Sequence, residues 1–373
     1  MPIQTAIDSI SNSQGSPFGF KNRIINGAMV IDQRNAGASV TANDGVYAAD
    51  RWRYESSQSS KFTVGQNIGS VTPPVGFSKY IGVTSSSAYS ILTTDRFNIG
   101  GWIEGYNTAD FEMGTSNAKT FTLSFWVRSS LTGTFGGACL GYDSTNFRNY
   151  SWNYTITSAN TWEYKTITIP GDTGTFNYGK TNNWGIFVSF SLGHGSNYTS
   201  TPGTWGDGLK YAPTSHTSVV GTNTATWYVT GVQLEKGSTA TSFDYRPIGT
   251  ELSLCQRYYH KNYPQTTAPA DSAAMLADGI GATTVSDANS VFSPNIPYPV
   301  CMRATPTFTF YRTPNSATSG MGAAYNGVWQ TGTSTALRSS SDNRFSMYIT
   351  KTATFTAGYS YLLEYAYSAT AEL

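Results

Sequence analysis

The chain has 373 residues, of which 39% are hydrophobic, 14% are aromatic and 12% are charged, and its formal net charge is +1. This length suggests two or three domains, and the charged fraction is about half of the roughly 25% found in typical soluble domains. The 23 basic and 22 acidic residues form no Lys/Arg-rich run, which argues against binding to nucleic acid. Low charge combined with many aromatic residues favours neutral ligands such as glycans, or other protein surfaces.

The first 21 residues are polar and low in aromatic residues, and they are predicted to form an extended arm. The arm is either a disordered leader or a segment that orders on a partner. It lacks a basic start followed by an apolar core, so no signal peptide is predicted. No stretch of the sequence approaches 18 apolar residues, so we expect no membrane insertion.

From residue 22 onward, apolar and polar residues alternate as in antiparallel strands. In residues 120–128 the alternation predicts a half-buried strand, with Trp126 and Arg128 on its polar face. In residues 184–192, Trp184 is predicted to share a buried face with Ile186 and Val188. Similar patterns predict strands at residues 161–170, 225–235, 305–312, 344–351 and 359–367. Many strands separated by Gly- and Asn-rich turns indicate an all-β protein built from β-sandwiches.

Residues 250–260 depart from this pattern, because Leu252, Cys255 and Tyr259 recur at helical spacing. They predict a short helix that joins two β modules. The predicted organisation is an N-terminal arm (1–21), a β-sandwich domain (22–247), a linking helix (248–262) and a smaller C-terminal β-sandwich domain (263–373).

The sequence contains three cysteines, Cys139, Cys255 and Cys301. An odd, sparse set does not form a disulfide framework, and no Cys/His motif suggests a metal site. All three are predicted to be small buried hydrophobic residues.

Several long stretches resemble one family. They are "NRIINGAMVIDQRNAG", "YAADRW", "AKTFTLSFWVRSSLTGTFGG", "YTITSANTWEYKTITIPGD", "WYVTGVQLEKGSTATSFDYRPIGTELSLCQRYY" and "YAYSATAEL". Together they cover most of residues 22–260 and the last residues, and they resemble the tail fibres and other surface proteins of tailed bacteriophages. The first module also resembles carbohydrate-binding jelly rolls, in which a "Y-hydrophobic-x-G-V-Q-L-E" segment is the final strand.

The resemblance implies a non-enzymatic protein of the virion surface, on the tail or the capsid, synthesised in the cytoplasm of the host bacterium. It implies a homo-oligomer, with a trimer expected, and residues 1–21 are expected to attach to other virion proteins. A host surface polysaccharide is the expected ligand. No cofactor is expected; a structural calcium is conceivable by analogy with jelly rolls, although no Asp-rich loop supports it.

Sugar binding requires exposed aromatic faces and a few polar groups, which loops on a rigid sandwich commonly supply. The candidate glycan-binding residues lie on a polar strand face and in two Gly-rich loops: Trp126, Arg128, His194, Tyr198, Trp205, Tyr325 and Trp329. For each residue the alternative is structural, since these side chains are equally suited to packing on the sandwich rim or against a neighbouring subunit.

An enzymatic role has weaker support. Glycan-cleaving enzymes use paired carboxylates, and the candidates are scattered over turns: Glu104, Asp110, Glu112, Asp143 and Asp172. No nucleophile or metalloprotease motif is present. Two hypotheses therefore remain, an adhesin that binds a host glycan and a structural decoration or adaptor subunit, and the sequence favours the adhesin.

Overall fold

The computed structural model describes residues 20–271, 282–284, 290–313, 321–325, 328–330, 334–350, 355–356 and 358–373. The chain divides into two compact units. The first consists of the residues up to Val30, Ala38–Ile248 and Leu373, and the second of Ile31–Gly37 and Gly249–Glu372. Most of the predicted N-terminal arm, residues 1–19, lies outside the described residues.

The segment Ile31–Gly37 differs from the sequence prediction, which places it in the first domain. Gln33 donates a hydrogen bond of 2.9 Å to the carbonyl of Tyr259, and Arg34 forms a 2.9 Å ion pair with Glu372. The guanidinium of Arg34 also lies 3.9 Å from the centre of the Tyr259 ring. These contacts group the segment with the second unit.

Fifteen strands are described in the first unit. In chain order they are β1 (Val40–Thr41), β2 (Tyr47–Ala49), β3 (Trp52–Ser56), β4 (Phe62–Gln66), β5 (Ile81–Ser85), β6 (Arg96–Glu104), β7 (Phe121–Ser129), β8 (Gly133–Tyr142), β9 (Phe147–Ile156), β10 (Glu163–Ile169), β11 (Trp184–His194), β12 (Thr199–Ser200), β13 (Trp205–Asp207), β14 (Ala212–Pro213) and β15 (Thr226–Lys236). Three single-turn 3-10 helices accompany them at Gly105–Asn107, Ala109–Phe111 and Ser196–Tyr198.

Thirteen of these strands form two sheets with antiparallel pairing, and β12 and β14 pair in parallel as a separate two-stranded sheet. The six-stranded sheet has the order β1-β4-β5-β15-β7-β10, and the seven-stranded sheet has the order β13-β9-β8-β11-β6-β3-β2. The two sheets share one hydrophobic core, in which Phe125 of β7 meets Phe190 of β11 with ring centres 5.0 Å apart. Trp227 of β15 is fully buried and donates a 2.9 Å hydrogen bond to the hydroxyl of Tyr154 on β9. The unit is therefore a jelly-roll β-sandwich, as predicted.

Strand β7 is more buried than the alternation predicts. Thr122 and Ser124, on the predicted polar face, are almost fully buried. Thr122 donates a hydrogen bond of 2.8 Å to the carbonyl of Gly237, because the turn after β15 folds over this end of the strand. The half-buried prediction is thus right only for the second half of β7, where Trp126 and Arg128 are partly exposed.

Besides Ile31–Gly37, the second unit contains helix α1 (Ile248–Gln256), from Gly249 onward, and a series of short strands. They are β16 (Tyr259–Lys261), β17 (Ala282–Thr284), β18 (Ser290–Phe292), β19 (Ile296–Pro297), β20 (Thr307–Phe310), β21 (Met321–Tyr325), β22 (Val328–Gln330), β23 (Ser334–Ser340), β24 (Arg344–Thr350), β25 (Ser360–Tyr365) and β26 (Tyr367–Thr370). They form one three-stranded and two four-stranded sheets over a core that includes Phe345, Met347, Leu363 and Tyr367. The predicted all-β class, with a helix preceding a smaller β unit, is confirmed.

Helix α1 is shorter than predicted. The sequence pattern extends it to His260, whereas the helix ends at Gln256. Tyr259–Lys261 forms a strand instead, because it pairs with β26, Tyr259 lying opposite Thr370. No helix among the described residues is long and apolar enough to cross a membrane.

The cysteine prediction holds for two of the three residues. Cys139 and Cys255 are buried, but Cys301 is exposed, with its sulfur 3.4 Å from a carboxylate oxygen of Asp342. Cys301 precedes the buried Met302, and this neighbouring side chain enters the core in its place.

We expect His260 on β16 to make the stability of the second unit depend on pH. Burial lowers its pKa to about 4, from an ordinary value of 6.5. Between pH 6.5 and pH 4 the imidazole is therefore protonated in the unfolded chain but neutral in the folded chain. As the pH falls through this range, protonation favours the unfolded chain and the folded state loses stability. We expect the free energy of unfolding to decrease by on the order of 2 kcal/mol from this group between pH 7 and pH 5.

Urea denaturation at pH 7 and pH 5 measures this loss, and a His260→Gln variant provides the control because Gln does not titrate. The variant should lose less stability between the two pH values than the parent. Equal losses in the two proteins would contradict this role of His260.

Candidate functional site

Two irregularities in strand β11 determine what the seven-stranded sheet presents on its outer face, the face away from the shared core. The pairing register of β11 with β6 shifts between Trp184 and Ile186 and again between Ser191 and Gly193. At each shift two residues of β11 oppose one residue of β6, which is a β-bulge, and a bulge turns the side chains beyond it to the other face. Trp184 and His194, the two ends of β11, therefore lie on the outer face.

The predicted placement of Trp184 is thus wrong. Ile186 and Val188 are buried in the core, as predicted, but the bulge at Gly185 turns Trp184 outward, where it is 36% exposed. A Cβ atom on Gly185 would lie 2.5 Å from the hydroxyl of Thr108 and 2.9 Å from the Cα of Gly105. Only glycine fits this close approach without displacement of its neighbours.

Trp184 is part of a line of four aromatic side chains, here called the aromatic row: Phe147, Tyr142, Trp184 and Trp102. They come from β9, β8, β11 and β6, which are consecutive strands of the sheet. The ring centres are 4.4 Å apart for Phe147 and Tyr142, 4.8 Å for Tyr142 and Trp184, and 5.9 Å for Trp184 and Trp102. All four side chains are partly exposed.

The row runs across the strands. Because neighbouring strands lie about 4.8 Å apart, four strands span about 15 Å, which is longer than one sugar ring. At one end of the row, the β8–β9 turn exposes three small polar residues, Ser144, Thr145 and Asn146. A flat apolar surface flanked by hydrogen-bonding groups is the chemistry that a sugar requires, because sugars combine apolar C–H faces with hydroxyls.

Part of this outer face is covered by residues 195–216, here called the strap, which include the edge strand β13. Tyr211 and the partly buried Tyr198 and Leu209 pack against Leu140 and Phe187 of the sheet. Asn149 on β9 fastens the strap, since its amide nitrogen lies 2.9–3.1 Å from the carbonyl oxygens of residues 206, 207 and 208. The aromatic row is therefore a part of the face that the strap leaves uncovered.

His194 and Tyr198, two of the predicted candidates, meet at the strap. Both rings contact Tyr211, with centres 5.5 Å away for His194 and 6.0 Å for Tyr198. His194 is buried, and its Nδ1 atom lies 2.7 Å from the hydroxyl of Ser191. Burial, and then the nearby His216 and Arg96, lower the pKa of His194 well below its ordinary value. The ring is neutral at physiological pH and lies beneath the strap.

Trp205 is placed by the edge of the seven-stranded sheet. Its indole nitrogen donates a 2.7 Å hydrogen bond to the carbonyl of Pro170. Its ring contacts Tyr150 and Tyr178, at 5.3 and 6.2 Å between centres, and it packs against the sandwich core. In this position the ring closes the rim of the core.

The remaining candidates lie elsewhere. In the second unit Tyr325 is partly buried, with its ring centre 4.8 Å from that of Tyr359 and 5.6 Å from that of Tyr361. The side chain of Trp329 lies outside the described residues. Trp126 and Arg128 lie together on the outer face of the six-stranded sheet. The aromatic row lies on the other sheet, on the opposite side of the sandwich.

Four of the five candidate carboxylates are each bound by a separate set of partners. Asp110 forms ion pairs with Arg23 and Lys236, whereas Glu112 pairs with Lys119. Asp143 accepts hydrogen bonds from two backbone amides of its own turn, which lower its pKa. The hydrogen bonds from its own turn therefore favour the ionised form of Asp143.

Asp172 is buried and bound by Arg148, with a nitrogen–oxygen distance of 2.7 Å, and by the hydroxyl of Tyr178 at 2.9 Å. Burial alone would raise the pKa of Asp172, but these hydrogen bonds outweigh burial and lower it. Glu104 is also buried, opposite Trp184 in the sheet. Among the described residues, no group of three or more His, Cys, Asp or Glu side chains is arranged to hold a metal ion.

A small cavity lies beside the row. Arg51, Trp52, Gly101 and Trp102 are among the residues that line it, and its volume of about 10 Å³ accommodates one water molecule. A sugar ring does not fit there, which leaves the aromatic row as the candidate surface beside it.

Comparisons with known proteins report similarity at the level of solved structures. No protein-family model matches the chain, and no curated protein matches it. The enzymatically active domain of tailspike protein 4 from bacteriophage CBA120 has 13% sequence identity and a TM-score of 0.33, over 58% of this chain and 21% of that chain. A putative sugar-binding protein from Bacteroides thetaiotaomicron has 11% identity and a TM-score of 0.31, over 58% of this chain and all (100%) of that chain.

A third similar structure is the Clostridium thermocellum xylanase 10B, whose CBM22-1 and GH10 modules are complexed with xylohexaose. It has 12% identity and a TM-score of 0.28, over 57% of this chain and 30% of that chain. Because these scores are low, no activity of these proteins is carried over to this chain.

Proposed function

We propose that this protein binds a neutral glycan on the aromatic row of its first unit. The observation that carries the proposal is the unbroken line of four partly exposed rings from four consecutive strands. Soluble proteins normally bury or disperse large aromatic side chains, and a clustered, exposed set marks a binding surface. A rigid sheet holds the rings in place before a ligand arrives, which reduces the entropy lost on binding.

The row suits an uncharged ligand. Its four members carry no formal charge, and the exposed residues of the adjacent β8–β9 turn are Ser144, Thr145 and Asn146. The nearest acidic residue in the turn, Asp143, already accepts hydrogen bonds from the amides of Thr145 and Asn146. Hydroxyl and amide groups can form hydrogen bonds with sugar hydroxyls. Unlike charged side chains, they do so without the free-energy cost of removing water from an ion.

For the biological role, we propose a phage adhesin: a tail fibre or other receptor-binding protein at the virion surface that attaches the particle to a host polysaccharide. This step depends on the resemblance of residues 22–260 and of the last residues to phage surface proteins. We further propose a homotrimer that binds without hydrolysing its ligand and is attached to the particle through residues 1–21. Several linked copies would strengthen weak individual sites by raising the effective concentration.

Affinity electrophoresis tests the binding step directly. The purified protein is run in native gels that contain neutral polysaccharides, including one extracted from the host surface, and its migration is compared with that in an empty gel. We expect retardation by at least one polysaccharide and release by its soluble oligosaccharide. Unchanged migration in every gel would instead favour a structural decoration or adaptor subunit.

A further inference from the structure

Arg128 is a cation without an acidic partner on the outer face of the six-stranded sheet. Its Nε atom donates a 2.9 Å hydrogen bond to the carbonyl of Asn160, and its guanidinium carbon lies 5.5 Å from the centre of the Tyr228 ring. No carboxylate in the described part of the chain forms an ion pair with it. The hydrogen bond engages one edge of the guanidinium, and the edge formed by the two terminal nitrogens makes no described contact.

The chain around Arg128 fixes this geometry. Asn160 adopts a left-handed conformation, with φ of 59°, and its amide donates a 2.7 Å hydrogen bond to the carbonyl of Ser129. The neighbouring acidic residue, Glu163, lies opposite Val127 and so on the other side of the sheet. Burial would raise the pKa of Glu163, but Lys165 and the groups of residues 157–158 outweigh burial and lower it to about 2. The negative charge of Glu163 is thus already compensated by partners other than Arg128.

A pair of rings lies beside the guanidinium. Trp126 and Tyr164 are directly opposite each other on β7 and β10, with ring centres 5.4 Å apart, and Tyr164 is 44% exposed. Trp126 is two residues from Arg128 on the same face, so their Cα atoms are about 7 Å apart. Trp162 lies near Tyr228, with ring centres 6.4 Å apart, and its indole nitrogen donates a 2.8 Å hydrogen bond to the carbonyl of Thr72.

We propose that Trp126, Arg128 and Tyr164 form a second binding site, here called the Arg128 site, which takes a sugar carrying a carboxylate. The free edge of the guanidinium presents two parallel N–H donors, which match the two oxygens of a carboxylate. The ring pair receives the apolar face of the same sugar. This inference goes beyond the proposed function, because the site lies on the other sheet and selects an acidic ligand.

Calorimetric titration of the full chain with two matched ligands tests the proposal: an oligosaccharide of hexuronic acid and the corresponding neutral hexose oligosaccharide. We expect the acidic ligand to bind at least tenfold more tightly to the parent than to Arg128→Gln, and its affinity to decrease as salt is added. Arg128→Lys retains the charge but not the paired donors, so its affinity should fall between the two. Tyr164→Ala, at an exposed position, should also lower the affinity for the acidic ligand.

Lys119→Gln is the matched control, because it removes one exposed positive charge elsewhere on the first unit, where Lys119 pairs with Glu112. It should leave the affinity unchanged. Trp184→Ala should also leave acidic binding intact, which separates this site from the aromatic row. Equal affinity of the parent, Arg128→Gln and Tyr164→Ala for the acidic ligand, with all three proteins folded by thermal melting, would overturn the proposal.

Discussion

Replacing Trp184 with alanine is expected to weaken glycan binding by about 1 to 3 kcal/mol, or roughly 5- to 150-fold in Kd. Trp184 lies inside the aromatic row, with Tyr142 on one side and Trp102 on the other. Its removal therefore divides the surface into two separate parts. Because 36% of the residue is exposed and it lies outside the main core, stability should change by less than about 1 kcal/mol.

Calorimetric titration measures this loss of affinity. The ligand is an oligosaccharide prepared from the polysaccharide that slows the protein in native gels, and thermal melting is the control for folding. Trp184→Phe keeps a ring at the position and should retain most of the affinity. Tyr245→Ala is the matched control, since Tyr245 is 57% exposed but lies outside the row. Parent-like affinity of Trp184→Ala would exclude the row as the binding surface.

Gly185→Ala is expected to lower the free energy of unfolding by roughly 1 to 3 kcal/mol. The new methyl group would lie 2.5 Å from the Thr108 hydroxyl and 2.9 Å from the backbone of Gly105, so the bulge must shift to accept it. The same shift would move Trp184 relative to Trp102. We therefore expect glycan affinity to fall together with stability, although the substituted residue does not belong to the row.

Gly206→Ala provides the comparison, because a Cβ atom there would meet its nearest neighbour, the Asn149 side chain, at 3.9 Å. That variant should unfold at nearly the same urea concentration as the parent. If Gly185→Ala proves as stable as Gly206→Ala and binds the glycan normally, then the bulge does not control the orientation of Trp184.

Local patterns in the sequence are sufficient for most of the sandwich. Period-two alternation predicts β7, β11 and β15 within a residue or two, because residues that face one core must recur at every second position. The end of helix α1 is different. Helical spacing continues to Tyr259, but residues 259–261 pair with β26 more than one hundred positions later, and a local pattern does not contain that partner.

The aromatic row could not be derived in the same way. Its members are dispersed from residue 102 to residue 184, and only the order of four strands in the sheet brings them together. Period-two alternation also assigned Trp184 to the core. It treats Gly185 as an ordinary strand position, whereas Gly185 is the extra residue of a bulge, which reverses the face of Trp184. The available signal was the glycine itself, since an isolated glycine within a strand pattern often marks a bulge.

Loop composition gave a different set of candidates. The reasoning that aromatics in Gly-rich loops lack a core of their own led to Tyr198 and Trp205. In the structure the loop around them forms the strap, and both rings pack against the sheet or its rim. Gly203 and Gly208 both have positive φ, which allows the strap to turn back on itself and reach β9. The glycines of this segment thus permit a packed conformation. Composition alone does not distinguish such a segment from an exposed loop.

A crystal structure of the full chain with its neutral oligosaccharide tests the central claim most directly. The account predicts sugar rings stacked on Trp184 and at least one of Trp102 and Tyr142, with ring atoms within about 4 Å of the aromatic faces. It also predicts hydroxyl contacts to the turn at residues 144–146. An oligosaccharide bound anywhere else, with the four rings of the row still exposed to solvent, would contradict it.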